Sequence, residues 1–520
     1  MKKKLLKTLK IILLIFSILL LVIATGLIWP MPNIVPPQKH DIVLIKSVNV
    51  IDVKTGNVLE SRNVLIEGNM IKAIDSLEIL VEDSNALLIN GNGKYVIPGL
   101  WDMHTHSNQQ SPWLHHPLYI ANGVTGVRDM SGQLHEKDSY WVGSRERLIW
   151  NNELNNHKRV APRYVLQSSY QIDGAASVPD GFPEYFKLLK PEDVDSLLGF
   201  YQKENVDFIK VYQQIIPESY RQLALKAPEY GIYLAGHKPM FVPLKEAVLL
   251  GQRSFEHGRI FMFEAFPNAD SLRTAKDWKG FFSLSKNSMV RDFDPEIAKE
   301  LMQLMRDHNA HWVPTLQTLK LEANAHRKSF RANPNLKYVS AVRKKLWWDL
   351  DLKNNTRRNQ AMGIARLSTH FYEASKAQVK VAHEIGVPIM AGTDVTDTYV
   401  FAGFSLHDEL EDLVNSGLST LEVLQSATIV PAKYAKMDME HGSIEEGKVA
   451  DLVLLNKNPL EEISNSREID GVISNGLYYD QNKIEELMDY TESMAGSFHL
   501  NVKVFFSFIN SPLIRVQFAD

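Results

Sequence analysis

Val96-Ile97-Pro98-Gly99-Leu100-Trp101-Asp102-Met103-His104-Thr105-His106 is an apolar run that halts at Pro-Gly and then delivers two histidines one residue apart. In an extended segment residues i and i+2 project to the same side, so His104 and His106 can share one ion. Neutral imidazole suits zinc and its first-row neighbours, and a strand end holds the ring more rigidly than a loop. A lone His-x-His is a weak signal, because strand histidines also serve as scaffold. Its weight depends on further ligands arriving at comparable strand ends.

Outward from this stretch, short apolar β-rich runs alternate with longer helical segments, the pattern of a parallel α/β protein. Eight strands are predicted: Tyr95 to Ile97, Gly123 to Arg128, Arg163 to Leu166, Asp207 to Tyr212, Ile232 to Ala235, Arg253 to Glu256, His311 to Leu316 and Val387 to Ala391. Eight parallel strands fit a closed (β/α)8 barrel, whose chemistry sits at the carboxyl ends of the strands. Lys210 comes at the end of the fourth, Gly236-His237 after the fifth, Glu256-His257 at the sixth and Gly392-Thr393-Asp394 after the eighth. With His104 and His106 these make four imidazoles, a carboxylate and an amine at one predicted rim. Singly each has an ordinary alternative; Asp394, for instance, would serve as a helix cap. Together they point to a metal site.

From about Asp41 to Tyr479 the chain resembles the amidohydrolase superfamily, in its imidazolonepropionase-like and prolidase-like branch. The resemblance rests on Pro98 to His106, Gly123 to Asp129, Ala235-Gly236-His237, Glu256-His257, Ala391 to Asp394, His407-Asp408-Glu409-Leu410, Ala427-Thr428 with Pro431-Ala432, and Gly442 to Leu452. It implies a (β/α)8 barrel with a small β-sandwich built from both chain ends. It also implies His104, His106, His237, His257 and Asp394 as metal ligands.

Lys210 decides the metal count. Its ordinary pKa near 10.4 makes a poor ligand, but a buried neutral amine can combine with carbon dioxide to give a carbamate that bridges two ions. The resemblance implies that role in two-metal members. His104, His106, Asp394 and the carbamate would then hold one ion, and His237, His257 and the carbamate the other. The alternative is a lysine paired with a carboxylate beside one ion. Zinc fits these donors, as do manganese, cobalt and iron. Such an ion lowers the pKa of bound water to around 7, so hydroxide attacks an amide carbonyl while Asp394 takes the proton and returns it to the departing amine. Tyr212, two residues beyond Lys210, either donates to the developing oxyanion or packs beneath a helix. Arg128 either meets a substrate carboxylate or braces Asp129. His115, His116, His308, His311 and His407 read as structural.

Strand-end loops set specificity in barrels. One, Phe261 to Ser288, is rich in aromatics; another, Leu319 to Lys380, is helical and carries Arg343-Lys344-Lys345 ahead of Trp347-Trp348. A lid with aromatic walls and a cation would suit a peptide with an apolar side chain and a free carboxylate.

The remaining chain frames this unit. Residues 41–94 read as short strands and are matched by a block at 440–490, so the two are expected to pair as a composite β-sandwich around a barrel at 95–439. Residues 31–40 form a proline-rich linker. Before it, Lys2, Lys3, Lys4, Lys7 and Lys10 precede an apolar run from Ile11 to Trp29, roughly 27 Å as a helix and close to a bilayer's hydrocarbon thickness. Residues 1–30 are therefore either a membrane anchor or a cleaved signal peptide, with Ala24 and Gly26 as small residues near a cut. Either way the rest is exported, anchored in a bacterial inner membrane facing the periplasm, or released there. Period-two apolar residues at Leu500, Val502, Val504, Phe506 and Phe508 predict a C-terminal β extension over 491–520.

Composition narrows the field. Of 520 residues, 45% are hydrophobic and 23% charged, and a net charge of -4 carries no nucleic-acid footprint. The absence of cysteine excludes disulfides, thiol nucleophiles and cysteine zinc sites. The expected function is an exported, metal-dependent amidohydrolase acting on small amides or dipeptides in the manner of a prolidase. Set against it are a one-metal cyclic amidohydrolase or deaminase and an inactive membrane-tethered barrel. Sequence leaves the oligomeric state open.

Overall fold

Short strands in the middle of the chain pair in parallel and in sequence order. The computed structural model describes residues 2–361 and 365–519. In it β6 (Leu100–Thr105), β7 (Val124–Asp129) and β8 (Arg163–Gln167) form one set, and β9 (Phe208–Val211), β10 (Tyr233–Gly236), β11 (Ser254–Glu256) and β12 (His311–Val313) a second. Parallel bridges join the sets: Ser168 to Phe208 and Ile172 to Val211 connect β8 with β9, and Trp312 to Ile389 connects β12 with the eighth segment. That segment reaches back to β6, where Met103 N donates to Ala391 O at 3.0 Å and Asp394 N to His104 O at 2.8 Å. The pairing path thus returns to its start, as a (β/α)8 barrel requires. Inside the ring Trp101, Met103, Phe208, Ala235, Val313 and Met390 form a buried cluster. Phe208 points inward, so Lys210 inherits that direction two residues later, and His237 follows Ala235 in the same way.

Both chain ends build one eight-stranded sheet beside this ring. Its order is β15 (Leu477–Asp480), β14 (Ile469–Ser474), β13 (Leu452–Leu455), β5 (Tyr95–Pro98), β1 (Ile42–Ile51), β2 (Val58–Glu67) and β3 (Met70–Asp75), with β4 (Leu87–Asn90) also on β1. Alternating Val43, Ile45, Val64 and Ile66 meet Leu452, Leu454 and Ile473 on its buried face. The expected first barrel strand therefore changes place. Tyr95 to Ile97 lies in β5, pairing with β1 and β13, and the histidines are delivered by β6. Pro98 offers no N–H to a further ladder bond, and Gly99 N donates to Asp451 O at 2.7 Å, so the chain changes sheets there.

The C-terminal β extension is also corrected. The sheet ends at Asp480, and helices Gln481–Gly496, Phe498–Asn510 and Pro512–Ala519 follow. Leu500 and Val504 lie one helical turn apart and are both buried, while the Ser497 hydroxyl accepts from Leu500 N at the helix start. Apolar residues at every second position also satisfy the i, i+4 rule, and packing against Leu114 and Met494 selected the helix. At the other end Lys2–Ile28 is a helix long and apolar enough to cross a membrane, exposed along most of its length.

Candidate active site

The six residues singled out at strand ends converge. His104 and His106 leave β6, Lys210 lies in β9, His237 follows β10, His257 follows β11 and Asp394 follows the eighth segment. His106 Nε2 lies 3.3 Å from His104 Nε2, and His257 Nε2 lies 3.0 Å from His237 Nε2. Asp394 Oδ1 is 2.9 Å from His106 Nε2 and 3.2 Å from His104 Nε2, and its Oδ2 is 3.6 Å from His257 Nδ1. Lys210 Nζ is 3.3 Å from His106 Nε2. Local backbone supports the convergence. Gly236 has φ +125, and a Cβ there would strike the Val211 carbonyl, so only glycine lets His237 follow β10 at this distance. His257 and Asp394 adopt the left-handed region, φ 75 and 66, a cost of about 1–3 kcal/mol each that surrounding packing must offset.

Outer partners orient the rings. His104 Nδ1 meets Glu256 Oε2 at 3.0 Å, His257 Nδ1 meets Thr315 Oγ1 at 2.8 Å, and His106 Nδ1 meets Ser131 Oγ at 3.3 Å. A proton held at Nδ1 leaves the Nε2 lone pair facing the cluster, the arrangement that favours metal ligation. His104, His257 and Asp394 present ligand atoms that all lie within 4.8 Å of one another. Lone pairs facing one another at 3.0–3.3 Å repel unless a proton or a cation lies between them. The donor set of nitrogen and carboxylate oxygen fits divalent zinc and its neighbours.

Electrostatics agree with neutral rings at His106, His237 and His257 beside an ionised carboxylate. Burial, with Lys210 alongside, holds His106 at about 3, and burial holds His257 at about 3 and His237 well below its ordinary value. Burial opposes the charge on Asp394, yet His104 and His106 hold its carboxyl well below the usual range. The Lys210 amine is pushed down to about 8, burial outweighing the attraction of Asp394.

Arg128 is not at the substrate side. It is fully buried, donating to Met103 O at 2.6 Å, Ser254 Oγ at 2.8 Å and both Glu256 oxygens at 2.9 Å. Nor does it brace Asp129, which pairs with Arg147 at 3.1 Å. The inward direction of β7 leads Arg128 beneath the histidine cluster, where Glu256 neutralises it. Glu256 therefore links Arg128 to His104, a positioning role that sequence reasoning missed; its place directly before His257 was the available signal.

Above the cluster opens a cleft of about 500 Å³. Tyr212 lines it, with its ring 4.0 Å from that of His237 and its hydroxyl kept protonated by burial. Arg259, Asp173, Asp397 and Gln213 line it too, none of them foreseen from sequence. Helix Leu316–Asn324 and the segment after Arg343 supply Leu319, Glu322, Trp347 and Asp351, so part of the expected lid does wall the cleft. The aromatic walls are corrected. Phe261, Phe263, Phe266 and Trp278 are buried in the helix layer, Phe261 lying edge-on to Trp312 at 5.0 Å. The Arg343 cation turns inward as well, bonding Tyr140 OH at 2.8 Å and the Thr396 carbonyl and hydroxyl. His407, between Ser466 Oγ and Asn122 O, and His116, on Tyr164 OH, are scaffold as expected.

Residues 254–477 match the amidohydrolase family. Members of that family hydrolyse carbon–nitrogen bonds and generally bind divalent metal. The amidohydrolase segment contains Glu256, His257 and Asp394, and the geometry above ties it to His104, His106, Lys210 and His237. An imidazolonepropionase of Clostridium tetani (strain Massachusetts / E88) is 26% identical over 260 residues, covering 40% of this chain and 59% of that protein. The chain spans between 14% and 59% of the length of the curated relatives it matches. Among solved structures the chain is similar to a bottromycin amidohydrolase, with TM-score 0.65, 21% identity and coverage of 88% of this chain and 91% of that one. It is likewise similar to a Xaa-Pro dipeptidase with methionine bound in its active site, with TM-score 0.59, 20% identity and coverage of 84% and 100%. At these identities the likeness concerns the fold.

Proposed function

We propose that this protein is an exported, metal-dependent amidohydrolase that cleaves the amide or peptide bond of small substrates, dipeptides ending in proline foremost. The observation that carries the reading is the meeting of four imidazoles, Asp394 and Lys210 in one cluster, all but the buried His104 lining the cleft. His104, His106 and Asp394 would hold one divalent ion and His237 with His257 a second. Lys210 serves both: its buried amine nitrogen bonds to the carbon of carbon dioxide and loses a proton, leaving an anionic carbamate. Ions so held would supply Lewis acidity, polarising a substrate carbonyl and making water acidic enough to ionise near neutral pH.

The chain's own groups do the rest. Asp394, kept ionised by its histidine neighbours, takes the proton from the attacking water and returns it to the departing amine nitrogen. Tyr212 keeps its hydroxyl proton and donates it as a hydrogen bond to the oxyanion. Arg259, two residues after His257 on the cleft wall, takes the role once expected of Arg128 and meets the substrate carboxylate. Leu319 and Trp347 offer apolar surface to the amino-terminal side chain.

The test is a dipeptide screen on full-length protein in detergent, with bound metal quantified on the same sample. Two ions per chain with cleavage of Xaa-Pro or related dipeptides is the expected outcome. One ion with ring opening of a cyclic amide would favour the imidazolonepropionase-like alternative. No ion and no hydrolysis would leave an inactive barrel.

A further inference from the structure

The N-terminal helix and the C-terminal helix meet at one corner of the molecule. Helix Lys2–Ile28 is solvent-exposed over most of its length, and from Lys4 onward only Ile23, Ala24 and Gly26 near its end are covered. Gly26 lies so close to helix Phe498–Asn510 that an added Cβ would stand 3.2 Å from Phe498 and 3.3 Å from Val502. Trp29 stacks on His499 with ring centroids 5.8 Å apart, and Lys503 donates to the Leu27 carbonyl. Just beyond, Tyr490 OH donates to Pro32 O at 2.6 Å. The long apolar helix therefore projects from the body, gripped only at its last turns.

Helix Phe498–Asn510 is two-faced. Leu500 and Val504 are buried against the body, while Phe498, Phe505 and Ile509 are 52%, 39% and 42% exposed. These three lie at i, i+7 and i+11, which a helical repeat of 3.6 residues brings onto one stripe. The stripe begins at the contact with Gly26, so it continues the apolar surface of the N-terminal helix without a break.

We propose that this stripe is a membrane-seating surface: the C-terminal helix lies in the outer interface of the bilayer that the N-terminal helix crosses, and the two together fix how the body stands on the membrane. The inference rests on the anchor reading of the N-terminal helix. An apolar helix of this length needs the bilayer, so the residues at its last turn stand at the headgroup level. Trp29 is the aromatic type that favours that level. A neighbouring apolar helix face packed at the same point must then meet the same interface. Phe508, on the same helix, reaches Trp347 of the cleft wall at 6.1 Å between ring centroids, so the seated helix touches the substrate side directly.

Because the chain lacks cysteine, single Phe505→Cys, Ile509→Cys, Leu20→Cys and Leu225→Cys variants can each carry one nitrobenzoxadiazole label. Each full-length variant is reconstituted into phosphatidylcholine–phosphatidylglycerol vesicles and quenched in turn with iodide and with lipids bearing a nitroxide near the headgroup. Leu225, 64% exposed on helix Pro217–Lys226, reports a surface outside the two helices. The expected result is loss of emission with nitroxide lipid at positions 505 and 509, a label at position 20 shielded from iodide, and quenching by iodide alone at position 225. If position 20 is shielded but 505 and 509 are quenched by iodide, the anchor stands and the seating surface is refuted. If position 20 is also open to iodide, the anchor reading fails and takes this inference with it. Labels at 505 and 509 shielded from both quenchers would place a second copy of the chain on the stripe, and would overturn the proposal equally.

Discussion

Replacing Glu256 with glutamine keeps the size of the side chain and removes its charge, and the structure allows the consequence to be worked out twice. The Glu256 carboxylate is fully buried between Arg128, bonded through both oxygens at 2.9 Å, and His104 Nδ1 at 3.0 Å. Burial opposes its ionisation, but Arg128 and then His104 hold it at about 2 against an ordinary 4.5. At about 1.4 kcal/mol per pH unit that difference is worth about 3 kcal/mol at neutral pH. Independently, removing one partner of a buried ion pair costs about 3–5 kcal/mol, because the other charge is stranded. A group held below its ordinary value contributes fully above pH 4.5 and loses its contribution as pH falls toward 2. Glu256→Gln should therefore lose about 3 kcal/mol at pH 7, and the acid limb of stability between pH 4.5 and 2 should flatten. Urea titrations of the full chain in detergent, followed by tryptophan emission at several pH values, measure both. Deprived of the charge on its acceptor, His104 should also bind metal about 10–100-fold more weakly in competition with a chromophoric chelator. A loss below about 1 kcal/mol with unaltered metal affinity would refute the claim that Glu256 couples Arg128 to the site.

Other perturbations separate the remaining roles. Lys210→Ala should lower metal content from two ions per chain to at most one and slow hydrolysis by about 100-fold or more; unchanged metal content would rule out the bridge. Tyr212→Phe should reduce kcat by about 100-fold with KM little altered, and a change confined to KM would place the hydroxyl on the ground-state substrate instead. Arg259→Met should raise KM roughly ten- to a hundredfold for dipeptides with a free carboxylate and leave their amidated counterparts unaffected. Equal effects on both substrates would remove Arg259 from carboxylate recognition.

The candidate site was legible in the sequence to an unusual depth because its residues sit at strand ends, where a period of two determines direction. Lys210 after Phe208, and His237 after Ala235, could be aimed inward from the apolar pattern alone. Arg128 failed for a related reason: a charged residue in a parallel strand can point at substrate or at a buried partner, and only the position of Glu256 across the ring distinguishes the two. The aromatic segment after β11 failed because aromatic rings suit a pocket wall and a helix layer equally, and Phe261 found Trp312. In the tail, Leu500 to Phe508 satisfied strand and helix periods together.

By itself the sequence determined the alternation of strands and helices, the apolar N-terminal helix, the pairing of distant chain ends and the six side chains that converge at the strand ends. These follow from local patterns of period and residue type, each held within a few neighbours. Tertiary structure alone decided where Pro98-Gly99 hands the chain from one sheet to the other, that Arg128 serves His104 through Glu256, which residues wall the cleft, and that both termini share a corner. Those outcomes depend on contacts between segments hundreds of residues apart, where burial and charge neutralisation choose among partners that no local pattern can rank.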